Sequence, residues 1–124
     1  MKRAVSGTTP AGAYSPGVVA EGRFVYVSGQ GPLRDGELVS GTIEEETEIA
    51  LANVASVLAE AGATLDDVVR CGVFLADLDD FAAMNEVYGR TFGDPLPART
   101  TVGASLPGIK VEIDCVAVLP NGES

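Results

Sequence analysis

The chain has 124 residues, 46% hydrophobic and 21% charged, with 8 basic against 18 acidic side chains and a net charge of −10. This length suits a single domain over 1–124 and the apolar content excludes global disorder. The charge disfavours nucleic acid as a partner, and the absence of any histidine removes the commonest general base, the commonest metal ligand and every Ser-His or Cys-His arrangement.

Met1-Lys2-Arg3 is followed by no apolar run, so it does not read as a signal peptide. No window approaches the roughly 18 consecutive apolar residues of a spanning helix. The expected location is the cytoplasm, with no membrane partner. Cys71 and Cys115 lie far apart without metal-ligand spacing and read as two buried free thiols in a reduced compartment.

Residues 8–17 form a Pro/Gly loop containing Tyr14. Val18–Ala20 and Phe24–Ser28 read as strands joined by a hairpin-like turn at Glu21-Gly22-Arg23, and Asp35-Gly36 is a further turn signal. Ile43 to Ala61 is the clearest helix: Ala50, Val54, Val57 and Ala61 recur at helical spacing, Leu51 and Leu58 widen the stripe, and Gly62 suits the C-cap. Glu44, Glu45, Glu46 and Glu48 crowd its first turns, where the helix dipole favours anions. Val68 to Leu75 alternates as a strand. Asp79 and Asp80 offer N-caps for a second helix with Phe81, Met84, Tyr88 and Phe92 on its apolar face and Gly93 at its end. Ala98–Gly103 and Ile109–Leu119 are the final strands, and Asn121 to Ser124 reads as a frayed tail.

The order of elements predicts an α+β domain with two helices on one face of a mixed sheet. In the last strand Val111, Ile113, Cys115 and Ala117 form one side, while Glu112, Asp114, Val116 and Val118 form the other. Both sides are partly apolar and the helices cover only one, so the second face requires another subunit and a homo-oligomer is expected.

Without histidine, chemistry falls to an arginine, carboxylates, hydroxyls and backbone amides. Arg99 stands at the start of a strand, between Pro97-Ala98 and Thr100-Thr101. A guanidinium fixed there can grip a carboxylate through two parallel hydrogen bonds; the alternative is an ion pair with an acid of the last strand. Glu112 and Asp114 share a strand face, where one of them can hold a water as general base or both can be solvated. Gly29, in Ser28-Gly29-Gln30-Gly31-Pro32, allows close approach of a ligand to the backbone or simply makes a turn. Tyr14 either packs or lines a cleft.

Tyr14-Ser15-Pro16, Val27-Ser28-Gly29-Gln30, Asn53, Asn85-x-x-Tyr88, Pro97-Ala98-Arg99-Thr100-Thr101-Val102, Leu106-Pro107 and Val111-Glu112-Ile113-Asp114 follow one another along the chain. Together they resemble the reactive intermediate deaminase family, also called YjgF/UK114, in its Arg-containing branch. The resemblance implies a chorismate-mutase-like α+β fold, a homotrimer with clefts between subunits, and hydrolysis of 2-enamine/2-imine acids such as 2-aminoacrylate to 2-keto acids and ammonia. It implies no cofactor, and small 2-imino and 2-keto acids as partners; the expectation of no metal rests on the absence of histidine, and that of no nucleic acid on the charge of −10.

Carried over by residue, the resemblance makes Arg99 the group that binds the substrate carboxylate. Gly29 is a backbone donor to the same carboxylate, with Ser28 beside it. Tyr14 lines the cleft, Asn85 lies near the subunit boundary, and Thr101 stands where many members carry Cys. Asp114 falls at a position usually held by a Glu that positions the attacking water. Its carboxylate reaches roughly 1 Å less far than that of Glu, from ordinary bond geometry. The competing readings are a carboxylate-binding or regulatory module with little turnover, and an endoribonuclease or translation inhibitor, which the acidic composition disfavours.

Overall fold

The computed structural model describes residues 1–120; the tail expected to fray, Asn121 to Ser124, lies outside the described residues. In chain order the strands are β1 (Lys2–Val5), β2 (Gly17–Ala20), β3 (Phe24–Gln30), β4 (Leu33–Arg34) and β5 (Glu37–Leu38), then helix α1 (Ile43–Glu60), β6 (Val68–Leu75), α2 (Phe81–Thr91), β7 (Ala98–Gly103) and β8 (Val111–Val118). The main sheet has the order β3-β8-β6-β7, with β6 and β7 parallel and the other pairs antiparallel.

The α+β class and the two helices on one face are as expected. The first hairpin is not. Strand β2 pairs with β1, a strand the sequence reading did not include, while β3 leaves β2 and pairs with β8, Phe24 opposite Val118. The turn at Glu21–Arg23 therefore links two sheets and does not close a hairpin. Asp35-Gly36 does close one: with φ of 51° and 80°, the two residues supply the left-handed conformations that a two-residue turn between β4 and β5 requires.

Helix α1 starts at a capping box, in which Glu45 N–H donates to Thr42 Oγ1 (3.1 Å) and Thr42 N–H donates to Glu45 Oε1 (2.8 Å). It ends one residue before Ala61, and Gly62, at φ 84°, turns the chain away. Of the acidic cluster, Glu46 is the exception to solvation. It is buried and accepts from Lys110 N–H at 2.8 Å, with Lys110 Nζ at 3.4 Å. Ahead of α2, Asp77 accepts from Asp79 N–H at 2.9 Å, whereas Asp80 makes no side-chain cap.

Ala50, Leu51, Val54 and Leu58 of α1 and Met84 and Tyr88 of α2 pack on Cys71, Val73 and Leu75 of β6 and Val111, Ile113, Cys115 and Ala117 of β8. The opposite sheet face has no helix. It carries Tyr26, 75% exposed, with the exposed Phe24 and Val102. No helix of the described residues is long and apolar enough to cross a membrane.

Candidate functional site

Strand alternation decides which predicted residues meet. Cys71 of β6 pairs with Arg99 of β7 and with Cys115 of β8, so all three lie on the helix-covered face. Gly72 pairs with Thr100 and with Asp114, which places Asp114 on the helix-free face. One copy of the chain thus separates Arg99 from Asp114 by the thickness of the sheet.

On the helix side, Arg99 is 8% exposed and its guanidinium carbon lies 5.2, 5.4 and 4.7 Å from the ring centres of Tyr14, Phe81 and Tyr88. Its only protein hydrogen bond among the described residues runs from Nη1 to the Ala13 carbonyl at 3.4 Å, and Nε and Nη2 have no partner. No carboxylate pairs with it: the ion pairs among the described residues are Arg90 with Glu48 and Glu86, and Lys110 with Glu46. The alternative of an ion pair with an acid of the last strand is thereby removed. Burial lowers the Arg99 pKa from its usual value, because the charged form loses hydration.

Tyr14 and Asn85 join Arg99. Tyr14 Oη accepts from Ala11 N–H at 2.9 Å, which fixes the ring, and Asn85 Oδ1 accepts from Ala13 N–H at 2.8 Å. Thr101 lies two residues beyond Arg99 on the same strand face, and its Oγ1 is buried without a partner. Four of the predicted residues therefore form one group with unused donors. Phe81 and Tyr88 belong to it as well; helical spacing marks both as apolar-face residues, and Tyr88 also stands in the Asn85-x-x-Tyr88 motif of the resemblance, without a role at the site.

Ser28 and Gly29 of β3 and Asp114 of β8 lie on other strands and do not join the Arg99 group. The β3–β8 register shifts between Val27 and Gln30, so Ser28 and Gly29 both fall in an irregularity and both are exposed. A side chain on Gly29 would collide with the Glu112 carboxylate, whose Cδ lies 2.8 Å from where a Cβ would stand. Asp114 is engaged elsewhere, its Oδ1 accepting from Gly72 N–H at 2.9 Å. The acid beside the Ser28-Gly29 backbone is Glu112. Spacing leaves the two acids of β8 equivalent and the resemblance gives the water-holding role to Asp114; the structure sets Glu112 against Gly29 and Asp114 against Gly72.

A cavity of about 320 Å³ between the β4–β5 hairpin and α1 is lined by Arg34, Ser40, Glu45, Glu48 and Asn53 among others, and contains none of the predicted site residues. No cluster of three or more metal-ligating side chains occurs among the described residues.

The profile of the family described as Endoribonuclease L-PSP matches residues 5–119. The chain belongs to the endoribonuclease L-PSP family. Among family relatives, the mitochondrial protein mmf2 of Schizosaccharomyces pombe is 48% identical over 104 residues, covering 80% of this chain and 82% of that one. A protein of Dermatophagoides farinae named 2-iminobutanoate/2-iminopropanoate deaminase is 40% identical, covering 89% and 88%. Among solved structures, a Rid-family protein of unknown function, YyfB from Yersinia pestis, is 30% identical with a TM-score of 0.84, covering 95% and 98%. The YjgF/UK114 resemblance of the sequence and the L-PSP family of the profile are thus one family, and the observed fold is that family's fold.

Proposed function

We propose that this protein hydrolyses 2-enamine and 2-imine acids, such as 2-aminoacrylate, to 2-keto acids and ammonia, in sites formed between the subunits of a homotrimer. The observation that carries this reading is Arg99. A buried guanidinium with two unpartnered nitrogens and no acid beside it is a prepared place for an anion. Small carboxylates suit a planar fork of donors, with Thr101 Oγ1 as a further donor on the same face. The relative named a deaminase supports the substrate class.

The oligomer follows from the two separated groups. Tyr26, Phe24 and Val102 make the helix-free face apolar, and that face also carries Glu112 and Asp114. Covering it with a second copy buries this surface and offers a route for the Arg99 group of one subunit to meet the Gly29–Glu112 group of the next. The number three comes from the family resemblance.

Arg99 then holds the substrate carboxylate and Gly29 N–H is available to the same group. A carboxylate, which we assign to Glu112 because of its place beside Gly29, orients a water toward the imine carbon. The water oxygen bonds to that carbon as the C=N π electrons move to nitrogen, and a proton passes by way of the carboxylate to the nitrogen. The carbinolamine collapses to C=O and ammonia departs. One water enters for each ammonia released. Because a protonated imine is already electrophilic, placement of the two reactants supplies most of the acceleration.

The test is to generate 2-aminoacrylate in situ with a dehydratase and follow pyruvate formation with and without the protein. Faster pyruvate release is expected. Tight pyruvate binding without acceleration would establish the carboxylate-binding module instead, and cleavage of labelled RNA would establish a nuclease.

A further inference from the structure

Gly12 lies in the segment that crosses Arg99. Its backbone is outside the left-handed region, so no conformational demand calls for glycine there. Space does. A Cβ at Gly12 would stand 2.8 Å from Arg99 Nη2, 2.9 Å from Asn85 Oδ1 and 3.3 Å from Phe81 Cζ. By contrast, a Cβ at Gly7, in the same stretch of chain, would meet nothing within 4 Å.

The three groups that converge on Gly12 are not equally free to move. Asn85 Oδ1 is pinned by Ala13 N–H at 2.8 Å. The segment itself is tied down at both ends of its turn, Ala11 N–H to Tyr14 Oη at 2.9 Å and Ser15 N–H to the Pro97 carbonyl at 3.0 Å. Arg99 is the member with rotatable bonds to spare, and no ion pair fixes it. What sets the direction of its guanidinium is one long hydrogen bond from Nη1 to the Ala13 carbonyl at 3.4 Å together with shape: three rings, and the bare backbone of Gly12 against Nη2.

Resting on the carboxylate-binding role of Arg99 given above, we propose that Gly12 is a positioning residue, whose missing side chain lets the guanidinium pack against the backbone and so aims its unpartnered N–H groups at the ligand. Any side chain there displaces Nη2 or lifts the 11–15 segment that carries Tyr14. An arginine held by an acid keeps its direction through charge. This one keeps it through close packing against a glycine, and the charge stays uncompensated for the substrate.

The experiment is a double-mutant cycle on the whole chain, with Gly12→Ala, Arg99→Ala and the pair, and Gly7→Ala as control, read first by melting temperature. Gly12→Ala is expected to lower the melting temperature in the parent and to do so much less in the Arg99→Ala background, where Nη2 is gone. The doubly substituted chain also serves if Gly12→Ala alone fails to fold, since its recovery is the expected result. Equal loss in both backgrounds overturns the proposal. The second readout is pyruvate binding by calorimetry. Gly12→Ala should weaken it tenfold or more while Gly7→Ala leaves it unchanged, and parental affinity in Gly12→Ala overturns the proposal. If the parent neither binds pyruvate nor deaminates 2-aminoacrylate, the carboxylate role fails, and the melting cycle still decides whether Gly12 positions Arg99.

Discussion

Asp114 Oδ1 accepts a hydrogen bond from the Gly72 backbone N–H at 2.9 Å, on the face of the sheet opposite Arg99. Its carboxylate is thus used in joining β8 to β6, while Glu112, two residues earlier, lies against Gly29. The two acids share a strand face but have different neighbours.

Substitution separates them. Glu112→Gln removes the acid proposed to hold the water but keeps the side-chain length. It is expected to lower turnover by about 10²–10⁴, the usual worth of a positioned general base, with pyruvate affinity kept within a few-fold. Asp114→Asn keeps an oxygen for Gly72 N–H and should leave turnover within about a factor of ten, less than one good hydrogen bond to a charged group is worth. Pyruvate release and calorimetry on the two variants check this. The opposite ranking would return the water-holding role to Asp114.

The exposed aromatic face predicts association. Tyr26, beside Phe24 with ring centres 6.5 Å apart, is the most exposed large hydrophobic side chain of the helix-free face. Tyr26→Lys places a charge where a second copy is expected to pack, and burying an unpaired charge costs several kcal/mol, on the order of the penalties for isolated ions in interfaces. Light scattering should return a trimer mass for the parent and a smaller species for the variant. On the proposed arrangement, in which the Arg99 group and the Glu112 group come from different copies, turnover should fall with the mass. A parent that scatters as a monomer at micromolar concentration overturns both the oligomer and the shared site.

The thiols give a pH prediction. Cys71 and Cys115 are free and buried as the sequence reading had them, but they are not remote: they face each other across β6 and β8. Burial pushes Cys71 up to about 11 and Cys115 up to about 12, from a usual value of 9.0. The folded chain therefore keeps protons that the unfolded chain releases. The sign is fixed: this contribution to stability is complete below about pH 9 and is lost progressively as pH rises toward 11 and 12. Urea unfolding between pH 8 and 11 should show midpoints that fall with pH, less steeply in a Cys71→Ser/Cys115→Ser chain. In the native parent at pH 8 both thiols should resist iodoacetamide, and after denaturation without reductant both should be counted.

Much of this was legible in the residues, and the losses have physical causes. Helix α1 and strands β6 and β7 were readable because their apolar period is local and their ends carry caps and turns. The partner of β3 was not, because Phe24 finds Val118 across most of the chain, and no local pattern states which distant strand completes a sheet. Glu112 and Asp114 were indistinguishable because a period of two puts both on one face; only the shift between Val27 and Gln30 brings Gly29 to Glu112. Phe81 and Tyr88 were readable as apolar but not as walls of a cation site, since helical spacing tells where a ring points and not which strand residue it meets. Gly12 gave no signal at all, lying in a loop where glycine is unremarkable.

Arg99 carries a cost to the fold. Its guanidinium is buried, and loss of hydration disfavours its charged form. No acid among the described residues offsets this, and the attraction of the Tyr14, Phe81 and Tyr88 rings compensates only in part. Arg99→Met keeps an unbranched apolar stem among the same rings and removes the charge. Replacing buried charges by apolar side chains of similar size is neutral or stabilising by about 1–4 kcal/mol in other proteins, so the Met variant should melt at or above the parent. Its deamination should fall by about 2–5 kcal/mol of transition-state binding, as when one partner of a buried charged contact is removed. Arg99→Lys keeps the charge without the fork and should fall between parent and Met variant in activity. Pyruvate should raise the melting temperature of the parent and leave that of the Met variant unmoved. A Met variant that melts well below the parent makes Arg99 a structural residue; one that still deaminates at the parental rate removes the Arg99 cleft from the chemistry.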